Sequence, residues 1–176
     1  STLFPYTTLF RSALAFRLIV LDEGRVVEEG GASRVLANPQ SVFSARLAGL
    51  NVVTGESVRF NDGLLGIRVG EGRLVAAQGD TGGEEGEEMA LLFEPDAVAL
   101  LREPGTGSAR SLITGRIDAV ESSSGLITAH IALDGERRVS ARVTTSAWAE
   151  LGCRVGNGIW CAVKATQIRA VRVAPR

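Results

Sequence analysis

Histidine and cysteine, two residue types that commonly bind metals, are rare in this chain. The single histidine, His130, lies in a strand-like segment between Ala129 and Ile131, which favours a strand residue over a ligand. Cys153 and Cys161 fit no metal-binding spacing, and two cysteines alone do not make a disulfide framework. We therefore predict reduced, buried thiols and no metal centre at these positions.

A run of carboxylates is the remaining candidate for metal binding. The stretch from Gly79 to Glu88 is rich in glycine and almost free of apolar residues, and its glutamates are Glu84, Glu85, Glu87 and Glu88. Glycines leave such side chains free to diverge, whereas a cation site needs several oxygens that converge. The stretch is therefore predicted to be a solvated loop.

Composition favours a small β-rich protein. The chain has 176 residues, of which 45% are hydrophobic, 5% aromatic and 21 are glycine, which is typical of short strands joined by tight turns. This length allows one ordinary domain or two small ones. The net charge of -1 and the few aromatic residues argue against a nucleic-acid-binding barrel. No apolar run approaches the ~20 residues that span a bilayer.

The first twelve residues do not have the character of a natural protein segment. Residues 2–12, TLFPYTTLFRS, resemble the in-frame translation of a common sequencing adapter. Such a segment is left out of fold reasoning. We therefore expect residues 1–12 to be an artefact and the natural chain to be longer before Ala13.

In the remaining chain, the pattern of predicted secondary structure changes near residue 52. Before it, residues 17–22 and 25–29 are predicted to form a hairpin, followed by a helix capped by Ser33 and a second helix capped by Ser41. After it, strand-length segments alternate with turns. The predicted strands are 57–60, 64–69, 74–77, 89–93, 97–101, 113–120, 126–133, 137–143, 158–164 and 168–173, with a short helix at 146–151. Such strands with one inserted helix are typical of a small closed barrel.

Three segments in this order resemble a known family. Residues 17–49, RLIVLDEGRVVEEGGASRVLANPQSVFSARLAG, resemble the end of an ABC-transporter nucleotide-binding domain. Residues 52–101, ending LLFEPDAVAL, resemble the β subdomain that follows it in molybdate-importer ATPases, where the family usually has Arg in place of Glu94. Residues 108–173 resemble the Mop (molbindin-like) domain, a TOBE-type barrel. The matching pieces are 108–110, 143–152 and 162–166.

The resemblance implies a fold class and a domain order. The fold is expected to be mainly β, with OB-like Mop/TOBE barrels that follow a small α/β remnant of an ABC ATPase domain. The expected domains are 13–51 for the remnant, 52–105 for a first TOBE-like β subdomain, and 106–176 for the Mop/TOBE barrel.

The resemblance also implies a ligand and its site. In the family, molybdate or tungstate binds between barrels of neighbouring subunits, where hydroxyls, cations and backbone N–H groups form charge-assisted hydrogen bonds to the dianion. The positions that carry over are Ser108, Arg110, Thr144, Lys164, Ala165 and Thr166. The family often has Asn where this chain has Ser111, and a hydroxyl where it has Ala147. Arg110 and Lys164 could equally be solvated surface charges, and Thr144 could simply cap the short helix.

The expected function is that of a regulatory, oxyanion-binding and dimerising C-terminal segment of the ATP-binding subunit of a molybdate or tungstate importer. The segment lacks the G-x-x-x-x-G-K-[ST] phosphate loop, so it is not expected to be an enzyme. ATP and Mg²⁺ belong to the full-length parent, which is expected to be an ABC ATPase. The expected partners are a second copy of the chain and, for the parent, membrane permease subunits, with no nucleic acid. The expected location is cytoplasmic, at the inner face of the plasma membrane.

Two alternatives remain at this point. A ligand-free dimer clamp of an importer for sulfate, sugar or polyamine would carry a similar barrel. A free-standing anion-storage protein built from Mop barrels is disfavoured by the ATPase-like segment at residues 13–49.

Overall fold

A computed structural model describes residues 17–22, 24–79, 83–105 and 107–173. The predicted artefact at residues 1–12 lies outside these ranges. The chain divides into two compact units between Leu50 and Asn51. No helix in the described part of the chain is long and apolar enough to cross a membrane.

The first unit is a hairpin followed by two short helices. Strands β1 (Leu18–Asp22) and β2 (Arg25–Gly30) pair in antiparallel fashion, as predicted. Helix α1 spans Ala32–Ala37 and helix α2 spans Val42–Leu47. The Ser41 side chain caps α2 by accepting from the Ser44 N–H, which confirms the predicted cap. The predicted cap at Ser33 is wrong, because the helix already begins after Gly31.

The second unit contains two repeats of one topology. Repeat 1, residues 51–101, and repeat 2, residues 111–172, each have a three-stranded antiparallel meander, a strand that returns to pair with the first, a 3-10 turn and a short last strand. Repeat 1 consists of β3 (Asn51–Arg59), β4 (Leu65–Val69), β5 (Gly72–Ala76), the two-residue β6 (Gln78–Gly79), β7 (Glu88–Phe93), a 3-10 turn (Pro95–Ala97) and β8 (Ala99–Leu101).

Repeat 2 follows the same order, with a helix in the place of β6. It consists of β9 (Ser111–Ser123), β10 (Leu126–Ala132), β11 (Arg138–Thr144), helix α3 (Thr145–Leu151), β12 (Gly158–Val163), a 3-10 turn (Ala165–Gln167) and β13 (Arg169–Arg172). Gly152 ends α3 in the left-handed conformation (φ 60°), where a residue with a Cβ would be strained.

The repeats exchange their last strands. Strand β8 of repeat 1 pairs with β12 of repeat 2, and β13 of repeat 2 pairs with β7 of repeat 1. The registers match, since Leu100 lies opposite Cys161 just as Ala170 lies opposite Leu91. Alternate residues of these strands enter one shared apolar core. The predicted mainly β class is therefore confirmed, and the exchange commits both repeats to a single core.

Candidate functional site

Two cations lie side by side where β9 and β12 meet. The antiparallel ladder ends with Ser111 opposite Val163, so Arg110 and Lys164, the next residues outward, are neighbours across it. Both side chains are exposed. Among the described residues, neither has a carboxylate within 4.0 Å. Two adjacent positive charges without a counter-ion favour the approach of an anion.

The 3-10 turn after Lys164 is fixed by repeat 1. The Ala165 carbonyl accepts a hydrogen bond from the Ala77 N–H at 2.9 Å, and the Thr166 carbonyl accepts from the Gln78 side chain. Ala165 is 6% exposed, whereas Thr166 is exposed. The turn therefore holds Lys164 beside Arg110, and it places Thr166 at the surface two residues after Lys164.

Sequence reasoning missed Arg73, which positions the Arg110 segment. Its Nε donates to the Arg110 carbonyl at 3.1 Å, and Arg73 pairs with Leu112 between β5 and β9. Arg73 precedes Arg110 by 37 residues. No pattern in the sequence indicates this contact, because it depends on the two repeats packing together. Ser108 is exposed, two residues before Arg110.

Thr144 lies far from the other site residues of the same chain. It pairs with Leu126 at the start of β10, and Leu126 pairs with Ser123 at the end of β9. Arg110 precedes the other end of β9, and thirteen residues of extended strand span on the order of 40 Å. Thr144 therefore cannot share an ion with Arg110 within one chain.

The Thr144 hydroxyl caps helix α3, a role that the sequence allowed for this residue. Its Oγ1 accepts from the Ala147 N–H at 3.1 Å. This bond uses a lone pair of the hydroxyl, so its O–H remains able to donate to an oxyanion. The neighbouring Ser146 does not replace the hydroxyl missing at Ala147, because it donates to Glu150 at 3.2 Å.

Ser111 faces the interior rather than the site. It is fully buried, and its hydroxyl accepts from the Val75 N–H at 2.9 Å. The equivalent residue of repeat 1 is Asn51, which makes the same kind of contact with the Ser140 backbone. The departure at Ser111 therefore changes a contact between repeats and leaves the exposed cations in place.

Repeat 1 lacks these cations at the equivalent turn. Register places Glu94, Pro95 and Asp96 where repeat 2 has Lys164, Ala165 and Thr166. Asp96 pairs instead with Arg142 of β11, with 3.3 Å between Oδ1 and Nη1. Repulsion between carboxylates and an incoming dianion disfavours binding at this turn.

Nucleophilic and metal chemistry find little support in the described residues. Burial raises the pKa of the Cys161 thiol to about 12, so it remains protonated at neutral pH. Cys153 is also free and buried, as predicted. Within the described ranges, no three His, Cys, Asp or Glu side chains are grouped to hold a metal ion.

Comparison with known proteins gives three similarities. The model of the TOBE domain family matches residues 107–170. The chain is 33% identical over 164 residues to the molybdenum import ATP-binding protein ModC of Mycobacterium tuberculosis, in strains CDC 1551 / Oshkosh and ATCC 25618 / H37Rv. That alignment covers 92% of this chain and 43% of the relative, so the chain spans less than half the length of these curated proteins.

A solved structure shares the fold. It is a crystal structure of the cytoplasmic molybdate-binding protein ModG with molybdate bound. It superposes with a TM-score of 0.59 at 22% identity, covering 70% of this chain and 96% of that chain. The chain therefore contains a TOBE domain, at residues 107–170, within a mainly β, OB-like fold.

Proposed function

We propose that this chain is the oxyanion-binding, regulatory and dimerising segment of the ATP-binding subunit of a molybdate or tungstate importer. The observation that carries the proposal is the adjacent, uncompensated pair Arg110 and Lys164, with Thr166 on the same rigid turn. Two cations and a hydroxyl are the groups that give charge-assisted hydrogen bonds to a tetrahedral dianion.

The site is completed by a second copy of the chain. Thr144 lies at the far end of β9 in its own barrel, so the Thr144 that contacts the ion comes from the neighbouring barrel. The remaining ligands are Ser108 and the backbone around Ala165. An ion held between two copies stabilises their association by the free energy of its binding, which gives the proposed dimer its dependence on oxyanion.

The similar proteins support the ligand and the parent. One is a molybdenum import ATP-binding protein and another is a molybdate-binding protein. In the proposed parent, ATP and Mg²⁺ bind in the part of the protein that precedes this chain, and permease subunits hold it at the inner face of the plasma membrane. This segment contributes no catalytic residues and no nucleic-acid binding.

A second candidate is a dimer clamp without ligand, in an importer for sulfate, sugar or polyamine. Two features near Thr144 favour it. The Thr144 hydroxyl already accepts a hydrogen bond as the cap of α3, and Ala147 has no side-chain donor for an oxyanion. The clamp predicts dimers that form equally with and without oxyanion.

Calorimetric titration of the whole chain with molybdate, with sulfate as the competing ion, tests the proposal. We expect saturable molybdate binding that weakens at least about tenfold in Lys164→Ala, the loss of roughly one charge-assisted hydrogen bond. Arg154→Ala removes an exposed cation on the β12 approach and should leave the affinity unchanged. Light scattering with and without molybdate measures the dimer. A folded dimer that binds neither ion contradicts the proposal and favours the clamp.

A further inference from the structure

A basic groove lies on the outer face of the second unit, beside the candidate oxyanion site. We define the basic groove by Arg59, Phe60, Arg68, Glu71, Arg73 and Trp160, which line an open concavity of about 510 Å³. Small-molecule sites have volumes of about 300–1,000 Å³. The groove is therefore of the size that accepts a metabolite rather than a single inorganic ion.

Its arginines are held in place over an aromatic ring. The guanidinium of Arg68 lies 5.4 Å from the centre of the Phe60 ring, and that of Arg73 lies 5.1 Å from it. The Phe60 side chain is 9% exposed, so it forms the floor on which the two cations rest. Arg59 is fixed by the carbonyls of Gly63 and Gly83 at 3.1 and 3.2 Å. Cations fixed in this way lose little side-chain entropy on binding a ligand.

The positive charge of the groove is only partly neutralised. Arg73 faces Asp62 at 3.7 Å, a long separation for an ion pair. In the part of the chain that the structure describes, Arg68 has no carboxylate within 4.0 Å. A guanidinium presents its N–H groups in a planar fork that matches two oxygens of a phosphate. The guanidinium groups of Arg68 and Arg73 are thus positioned to bind a phosphate group.

Trp160 supplies a different surface. Its neighbours on β12, Ile159 and Cys161, are 1% and 0% exposed and belong to the core, so Trp160 points outward into the groove. An indole face favours stacking with a flat ring. Glu71 lines the same groove and can accept a hydrogen bond from a hydroxyl or amine of the ligand. An inorganic oxyanion uses neither of these groups.

We propose that the basic groove binds a small phosphorylated molecule that carries a planar ring, with the phosphate on Arg68 and Arg73 and the ring on Trp160. A single-stranded nucleic acid fits less well, because barrels of this kind hold about 4–16 nucleotides along a longer track. The groove is separate from Lys164. Arg73 lines the groove and also donates a hydrogen bond to the Arg110 carbonyl of the oxyanion site. A ligand that moves Arg73 therefore changes the position of Arg110.

Titration of the whole chain with AMP tests this proposal by calorimetry and tryptophan fluorescence. AMP should bind at least about tenfold more tightly than adenosine or inorganic phosphate, since each part makes only half of the contacts. Arg68→Gln should weaken AMP binding about tenfold or more, the loss of a charge-assisted contact. Arg154→Gln, an exposed arginine outside the groove, is the matched control. Circular dichroism melting establishes that each variant is folded.

Tryptophan fluorescence tests whether the adenine ring of AMP stacks on Trp160. The chain has two tryptophans, Trp148 and Trp160. AMP should change the emission of Trp148→Phe, which retains Trp160, and should leave that of Trp160→Phe unchanged. Lys164→Ala should weaken molybdate binding at least about tenfold and leave AMP binding unchanged, so that failure of one site can be told from failure of the other. No AMP binding by folded protein at millimolar concentration, or binding that Arg68→Gln and Trp160→Phe leave intact, overturns the proposal.

Discussion

Repeats 1 and 2 place the same 3-10 turn against the meander of the other repeat, yet the two turns carry opposite charges. Repeat 2 presents Thr166 and, beside Arg110, Lys164, whereas repeat 1 presents Glu94 and Asp96. The backbone conformations before the turns are nearly equal, with φ of -68° and -71°. The difference shows that the buried register fixes the position of the turn, while its exposed side chains are free to differ in function.

A second comparison concerns how each repeat holds the other. Asn51 of repeat 1 binds both backbone groups of Ser140, by accepting from its N–H at 2.6 Å and donating to its carbonyl at 2.8 Å. Ser111 of repeat 2 does the same to Val75, but its bond to the carbonyl is 3.4 Å long. We call these two contacts between the repeats, Asn51 with Ser140 and Ser111 with Val75, the clips. The shorter serine side chain thus makes the weaker of the two clips.

The largest expected difference in the free energy of unfolding is between alanine variants of two glycines at equivalent positions in the repeats. A Cβ at Gly115 would lie 2.5 Å from the Ala132 carbonyl oxygen, whereas at Gly55 the nearest atom, Ile67 Cβ, is 3.5 Å away. Gly115→Ala should therefore destabilise the second unit by about 2–3 kcal/mol through overpacking. Gly55→Ala should be neutral or stabilising by up to about 1 kcal/mol, because alanine restricts the unfolded chain. Urea unfolding followed by tryptophan fluorescence measures both, and equal losses would show that the repeats tolerate a Cβ alike.

The two clips give the next largest difference. Asn51→Ala leaves the N–H and carbonyl of Ser140 without their partners in a part-buried position, which should cost about 2–3 kcal/mol. Ser111→Ala should cost about 1 kcal/mol, since mainly one good hydrogen bond is lost. The same unfolding experiment compares them. If Ser111→Ala proved the more damaging, the ranking of the clips by hydrogen-bond length would be wrong.

The smallest effect depends on pH and concerns a contact between turns. Asp134 of repeat 2 accepts from the Gly70 N–H of repeat 1 at 2.8 Å and pairs with Arg137, whereas the residue of repeat 1 at the equivalent position is Gly70 itself, which has no side chain. Burial acts to raise the pKa of Asp134, but the hydrogen bond and charge of Arg137 and the bond from Gly70 outweigh it, so the pKa is lowered from 3.8.

A lowered pKa in the folded state makes the Asp134 contribution present above the unfolded value of 3.8 and lost as pH falls through the folded pKa. Asp134→Asn should therefore reduce stability at pH 7, and its difference from the parent chain should shrink below pH 3.8. Unfolding in urea at several pH values measures this. Glu136→Gln removes an exposed carboxylate from the same turn and should show no such convergence.

Much of the local structure was predictable from residues close in sequence. The break between the predicted strands 17–22 and 25–29 and the cap at Ser41 identified the hairpin and α2, since these signals act within one turn of chain. Strand limits were less predictable. The strand predicted at 57–60 runs from Asn51 to Arg59, and the strand predicted from Ala97 begins at Ala99, because Ala97 still belongs to the 3-10 turn. Pairing with β7 extends β3, and that partner is remote in sequence.

The sequence by itself determined the mainly β class and the buried thiols, because composition and short-range pattern suffice for these, and its resemblance to the Mop family implied the candidate ligands. The tertiary structure alone decided that Arg110 and Lys164 are neighbours, that Thr144 lies at the other end of β9, and that the repeats exchange β8 and β13. It also decided that Arg73 fixes the Arg110 segment from 37 residues away. The physical reason is that each of these contacts joins strands whose pairing follows from burying one shared core, and no local preference specifies which distant strands pair.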